Sequence, residues 1–326
     1  MATFTKRGNR WKAQIRRAGF PSLSKSFLSK SDAEKWARDK ERSIDRGELP
    51  TNHNELKATT LGDLLTRYLE QITPTKRGSN SEAYRLRTMF EHPIAALSLK
   101  NLSPAAVASY RDDRLQKVST GSVRRELAIL SHCLEIAKRE WGIALKVNPC
   151  AEVSKPSNGK ARTRRLEAGE FETLDEALRQ CGNPLVRHVF LFALATGMRR
   201  GEVIALRWEH VDLEQRTAHL PLTKNGDART VPLSPAALQV LSQLPRQPGG
   251  PVFPISGNAV RLAWGRVKAR VGIQDLRFHD LRREAISRFF EVGLSVPEVA
   301  VCSGHKDTRM LAVYTKLKAQ DIAAKL

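Results

Sequence analysis

One stretch of this 326-residue chain cannot belong to any compact core: SKPSNGKARTRR, residues 154–165. Pro, Gly, Ser and Asn stand there among Lys and Arg, with no apolar periodicity that a helix or strand could bury. Two or more cores must therefore form on either side, and the length suffices for two or three domains. Residues 156–165 read as a flexible, charged linker suited to following a DNA backbone.

Before that break the periodicities change once. WKAQIR alternates, with Trp11, Ala13 and Ile15 on one face and Lys12, Gln14 and Arg16 on the other, as in a half-buried strand. Gly19 and Pro21 mark a turn, and SKSF (24–27) continues as a short strand. SDAE (31–34) has the form of a capping box opening a helix that ends by Gly47 and Pro50. Residues 1–55 thus read as a small sheet backed by a helix, and residues 51–60 as a linker. Leu61, Leu64, Leu65, Tyr68 and Leu69 then fall at helical spacing, with further helical patterns near 80–90, 103–117 and 120–141. Residues 56–155 read as a helical bundle. From Leu166 to the end the chain is helix-rich, with one hairpin: TAHLPL (217–222), Asn225-Gly226, RTVPL (229–233). The fold class expected is multidomain, mainly α with small β.

Charge narrows the partner. Lys and Arg number 55 against 34 Asp and Glu, a net +21. The first thirty residues hold eight basic residues and no acid. Such an excess points to a polyanion, double-stranded DNA before a membrane, because the apolar run at Val189–Ala195 is too short to span a bilayer. Candidate backbone contacts are Lys12, Arg16 and Arg17 in the first sheet, Lys76 and Arg77 in TPTKRG, Arg124 and Arg125 at a helix start, and Arg162, Arg164 and Arg165 in the linker. For each, a merely solvated charged face is the competing reading. No apolar leader follows MATFTKRGNRW, and Cys133, Cys150, Cys181 and Cys302 form no CxxC pair. A reduced, cytoplasmic, nucleoid-associated protein is expected, with no metal site and no cofactor; a Walker loop is absent.

Four clusters carry chemistry: TGMRRGEVIALRW (196–208), Lys224 at the hairpin turn, HDLRREAI (279–286), and SGHKDTRMLAVYTKL (303–317). Singly, each has an ordinary structural explanation. In order, Arg199, Lys224, His279-x-x-Arg282, Gly304-His305 and Tyr314 nine residues later resemble the signature set of the tyrosine recombinases, the phage integrase family. RWEHVDL, HLPLTKNG, YRDDRL, REWG and FHDLRREAISRFFE further resemble its shufflon-type DNA invertase branch. Arg283 stands where a histidine often follows HDLR in that family.

The resemblance implies an arm-type DNA-binding domain at 1–55, a core-binding domain at 56–155 and a catalytic domain at 166–326. It implies that Tyr314 attacks the scissile phosphate and stores the bond energy in a 3′-phosphotyrosyl link, so neither metal nor nucleotide is consumed. Arg199 and Arg282 clamp the non-bridging oxygens, with Arg199 rather than Arg200 in the family register. Lys224 protonates the leaving 5′-oxygen, His305 bonds the phosphate, and His279 is the candidate base; Glu202 and Asp280 orient these groups from behind. A phenol of pKa ~10 is only about one part in a thousand ionised at pH 7, which is why a positive pocket and a base are needed. The function expected is a site-specific integrase that integrates or excises a bacterial or phage-borne element. It would act as a tetramer, with DNA-bending or directionality factors as accessory partners. The alternatives are a shufflon-type invertase and a DNA-binding regulator that does not cut. The residues after Tyr314 are expected to dock on a neighbouring protomer.

Overall fold

The computed structural model describes residues 2–17, 20–45, 53–159, 162–221 and 228–314. It divides into two compact units, Met1–Lys160 and Ala161–Leu326. Helices dominate both, and each holds one three-stranded antiparallel sheet.

The first unit opens with strands β1 (Ala2–Arg7), β2 (Arg10–Arg17) and β3 (Phe20–Phe27), in that order across the sheet. Ala13 and Ile15 are buried, and Ile15 meets Ala37 and Ile44 of helix α1 (Lys30–Asp45). Alternation along WKAQIR thus predicts the buried face correctly. Two local expectations differ. β3 begins at Phe20, so Pro21 lies within a strand; an edge strand tolerates it, because a missing N–H there breaks no central ladder. Helix α1 begins at Lys30 rather than Ser31, and Ser29 Oγ accepts the Ser31 amide at 3.1 Å.

Five helices follow: α2 (His53–Ala58), α3 (Leu61–Gln71), α4 (Ser79–Phe90), α5 (Pro104–Leu115) and α6 (Thr120–Arg139). The expected linker at 51–60 is therefore corrected in part: residues 53–58 are helical, and Leu56 is buried in the helical core. Thr60 ends that turn and caps α3, exchanging hydrogen bonds with Asp63 at 2.8 and 3.1 Å. Leu61, Leu64, Leu65 and Tyr68 pack against Leu86, Val107, Leu127 and Leu130. At the centre, Glu126 is 3% exposed, takes the Tyr110 hydroxyl at 2.8 Å and receives both forks of Arg114 at 2.9 Å. The carboxylate and its burial push the Tyr110 phenol well above its usual range.

In the second unit, α7 (Glu170–Arg179) precedes α8 (Leu185–Thr196), the most apolar helix and the middle of the core. Phe190 stacks between Phe171 and Trp264. Gly197 caps α8 at φ +62°, where a Cβ would lie 3.1 Å from the Phe289 ring, so glycine suits both the backbone and the space. Helix α9 (Arg200–Ala205) leads to β4 (Val211–Asp212), β5 (Thr217–Leu220) and β6 (Arg229–Pro232), paired in that order. β5 and β6 are the predicted hairpin, with Leu220 opposite Arg229; β4 is an addition. Helices α10 (Pro235–Ser242), α11 (Gly257–Arg270), α12 (Asp280–Glu291) and α13 (Val296–Ser303) complete the unit, and α10 and α12 both pack on α8. No described helix is long and apolar enough to cross a membrane.

The Glu126 cluster yields a stability ranking. Glu126→Ala leaves the half-buried Arg114 guanidinium and the buried Tyr110 hydroxyl unpaired and should cost roughly 3–5 kcal/mol. Tyr110→Phe removes one bond to a charged group and should cost about 1–3 kcal/mol. Urea denaturation followed by circular dichroism orders the two.

Candidate active site

The site is assembled on the ends of α8, α9, α12 and α13. Arg282, in the first turn of α12, is 4% exposed. Its Nη1 donates to the Gly197 carbonyl and its Nη2 to the Ser303 carbonyl, both at 2.5 Å. Burial, then Arg199 beside it, brings Arg282 down to about 10. Arg199 is the N-cap of α9; its backbone N–H donates to Glu202 Oε2 at 2.9 Å and its Nη1 to Glu202 Oε1 at 2.8 Å. Glu202, although buried, is held down at about 2, chiefly because hydrogen bonds from Arg229 and Arg199 outweigh its desolvation.

His279 is the N-cap of α12, and burial followed by Arg282 and Arg283 lowers its pKa. His305 follows Gly304, the left-handed C-cap of α13, and its Nδ1 lies 2.7 Å from Ser303 Oγ. Burial, then Arg282, Arg199 and Arg229, lower His305 to about 4. Tyr314 packs against a small cluster of Ile286, Val299 and Leu311, and the Arg283 guanidinium stands 6.0 Å from its ring centre. Five of the six predicted catalytic side chains, Arg199, His279, Arg282, His305 and Tyr314, thus gather at one place from stretches more than a hundred residues apart. Lys224 lies outside the described residues, as does the segment after Tyr314.

Glu202 bonds Arg199, while Asp280, whose charge also bears on His279, accepts Arg162 Nη2 at 2.8 Å and the Arg277 backbone amide at 2.8 Å. Arg200 lines a cavity of about 660 Å³ with Arg199, Arg261, Lys268, Arg277 and His279, a basic hollow beside the clamp.

The other predicted DNA contacts divide by what their charges already touch. Lys12, Arg16 and Arg77 make no described ion pair, and Arg16 and Arg77 are exposed. Arg17 pairs with Asp45, and Lys76 with Glu82 at 2.9 Å and the Tyr68 hydroxyl at 2.5 Å. Arg124 donates to the Pro156 carbonyl at 2.6 Å and Arg125 to the Gly121 carbonyl at 3.2 Å. The linker arginines are engaged within the second unit: Arg162 with Asp280 and Asp275, Arg164 with Glu170, Arg165 with Glu284 and Glu291. These guanidiniums anchor the link to the catalytic unit, in contrast to a freely moving stretch.

Two site residues escaped the sequence reading. Ser303 holds His305 in place. Arg229 gives both forks to Glu202 at 2.9 Å. Its signal was present in the strand RTVP, where alternation puts Arg229 on the same face as Val231, which is fully buried. Among the described residues no group of three His, Cys, Asp or Glu side chains could hold a metal ion.

Comparison with known proteins gives the family. Residues 164–321 match the phage integrase family. The shufflon-specific DNA recombinase of Escherichia coli is 41% identical over 280 residues, covering 83% of this chain and 72% of that protein. A Haemophilus influenzae protein named as an integrase/recombinase is 36% identical over 329 residues, covering 95% and 86%. The structure of a lambda integrase tetramer bound to a Holliday junction superposes with a TM-score of 0.66 at 17% identity, covering 98% of each chain, a likeness of fold. Relatedness at this level, spanning most of both chains and including the gathered residues, places the protein in the phage integrase family, the tyrosine recombinases that carry out site-specific DNA recombination.

Proposed function

We propose that this recombinase cuts and rejoins DNA through Tyr314, integrating or excising a mobile element. One observation carries the reading of the site. Arg199, Arg229 and Arg282 converge with a single carboxylate, Glu202, between them, and Arg282 is lowered to about 10 by burial and by Arg199. Guanidiniums that stay charged while repelling one another in this way leave the pocket short of an anion, and a phosphodiester supplies one with oxygens suited to their forks.

In the proposed reaction the Tyr314 oxygen attacks phosphorus, and the bond to the 5′-oxygen breaks. The phenolic proton passes to His279, which is neutral at pH 7 because its pKa is lowered. The 5′-oxygen takes a proton from Lys224, since an alkoxide leaves far less readily than a phenolate. Arg199 and Arg282 stabilise the charge that grows on the non-bridging oxygens. His305, neutral as well, bonds the phosphate from a ring fixed by Ser303. Reversal by a 5′-hydroxyl of the partner duplex completes strand exchange.

Four protomers on two duplexes would be the active assembly, consistent with the tetrameric state of the lambda integrase structure, and the bacterial cytoplasm its setting. A second reading, inversion between identical sites, is favoured by the likeness to the shufflon-specific recombinase. Plasmids carrying the recognition site, recovered by sequencing DNA ends covalently trapped by the protein, separate the two. Intermolecular joining of unlike sites supports integration, and exchange confined to identical inverted sites supports inversion.

Tyr314→Phe should form no covalent adduct on a nicked duplex while retaining DNA binding; an adduct would remove Tyr314 as nucleophile. Arg282→Ala should lower single-turnover cleavage by roughly 100–1,000-fold. A pH effect follows from His305. The unfolded ring takes its proton near 6.5, the folded ring only at about 4, so stability present above pH 6.5 is lost as pH falls through that window. Thermal melts of the native protein should decline more steeply from pH 6.5 to 4 than those of His305→Asn, by roughly 1–2 kcal/mol after allowance for partial exposure.

A further inference from the structure

The carboxylate of Glu202 is fully subscribed. Oε1 accepts Arg199 Nη1 at 2.8 Å and Arg229 Nη1 at 2.9 Å. Oε2 accepts the Arg199 backbone N–H at 2.9 Å and Arg229 Nη2 at 2.9 Å. A carboxylate offers about four lone-pair positions, so no further donor can be added. Arg199 therefore gives Glu202 one guanidinium N–H, and its Nε and Nη2 make no hydrogen bond among the described residues.

Arg229 is half-buried, its side chain 13% exposed, and its Nε is a buried atom with no partner among the described residues. A donor left unmet inside the protein works against stability, so the position is poorly explained by folding alone. Its shaft also lies under the turn before His305. A Cβ at Gly304 would come within 2.9 Å of Arg229 Cδ, Cζ and Nη1, and Gly304 holds φ +69°.

We infer that Arg229 is a positioning residue: by occupying both faces of Glu202, it keeps the Arg199 guanidinium available for a phosphate oxygen. Without Arg229, two positions on Glu202 fall vacant. Arg199 is the guanidinium already bonded there, and fork-to-fork pairing with a carboxylate is the geometry it favours. Arg199 would then turn onto Glu202 and away from the substrate. This rests on Arg199 being a phosphate clamp, as proposed above.

The test is a set of substitutions assayed by single-turnover cleavage of a nicked duplex, built on the sequence recovered from trapped ends. Arg199→Ala serves as the control: if it cleaves as the native protein does, the clamp assignment fails, whatever Arg229 does. Given a slow Arg199→Ala, Arg229→Ala should lower the cleavage rate constant by roughly 10–100-fold at saturating protein, with little change in DNA affinity. Adding Glu202→Gln to Arg229→Ala should then raise the rate about fivefold or more above Arg229→Ala, because the amide no longer holds Arg199. In the Arg199→Ala background, Arg229→Ala should have little further effect. Arg229→Lys, which keeps the charge and a donor, should fall between and covers the case where Arg229→Ala fails to fold. A double variant as slow as the product of the two single losses, or an unaffected Arg229→Lys beside an unfolded Arg229→Ala, overturns the inference.

Discussion

The buried guanidinium of Arg282 is the tie on which the catalytic unit depends. Its two short bonds, to Gly197 and to Ser303, draw the end of α8 and the end of α13 onto α12. Those carbonyls are the unpaired acceptors that helix C-termini leave behind, so one side chain satisfies two helix ends. Arg199 follows two residues after Gly197 and His305 two after Ser303. Placing Arg282 therefore places both, and the positive charge of the site is set by the same group that closes the fold.

Arginines in this protein do two kinds of work, told apart by their partners. Arg114, Arg165 and Arg187 each face a carboxylate that neutralises them, and they bind one element to another. Around the pocket three guanidiniums share one carboxylate, leaving charge for a ligand. The excess of basic residues in the composition was a sound guide to a polyanion, but it could not separate these two populations. Partner choice is decided by contacts such as Arg162 with Asp280, 118 residues apart, which no local pattern encodes.

The same distinction explains what was legible beforehand. The helices of the first unit, the hairpin and the turn at Gly197 were readable because periodicity and glycine act over a few residues. The candidate site was readable as a set because its members keep their order and spacing along the chain. The early start of β3, the cap at Ser29 instead of Ser31 and the helix at 53–58 were not, since each depends on packing that overrides weak local preference. Arg229 was missed for a different reason: a single arginine in a four-residue strand passes for a solvated end, unless its alternation with Val231 is followed through.

The bonds from Arg162 and Arg165 bear on where this enzyme can be divided. Asp280 and Glu284, 2% and 4% exposed, both lie on α12, the helix that carries Arg282. A fragment beginning at Leu166 would leave Asp280 with the Arg277 amide, and Glu284 with Arg288 and the Leu166 amide. Asp280 would then be a buried carboxylate with no ion-pair partner among the described residues, and Glu284 would keep one of its two, so the first would draw in water or a proton. The second compact unit is thus best kept whole from before Arg162. Chimaeras that exchange DNA-recognition modules between relatives should carry these arginines with the catalytic half.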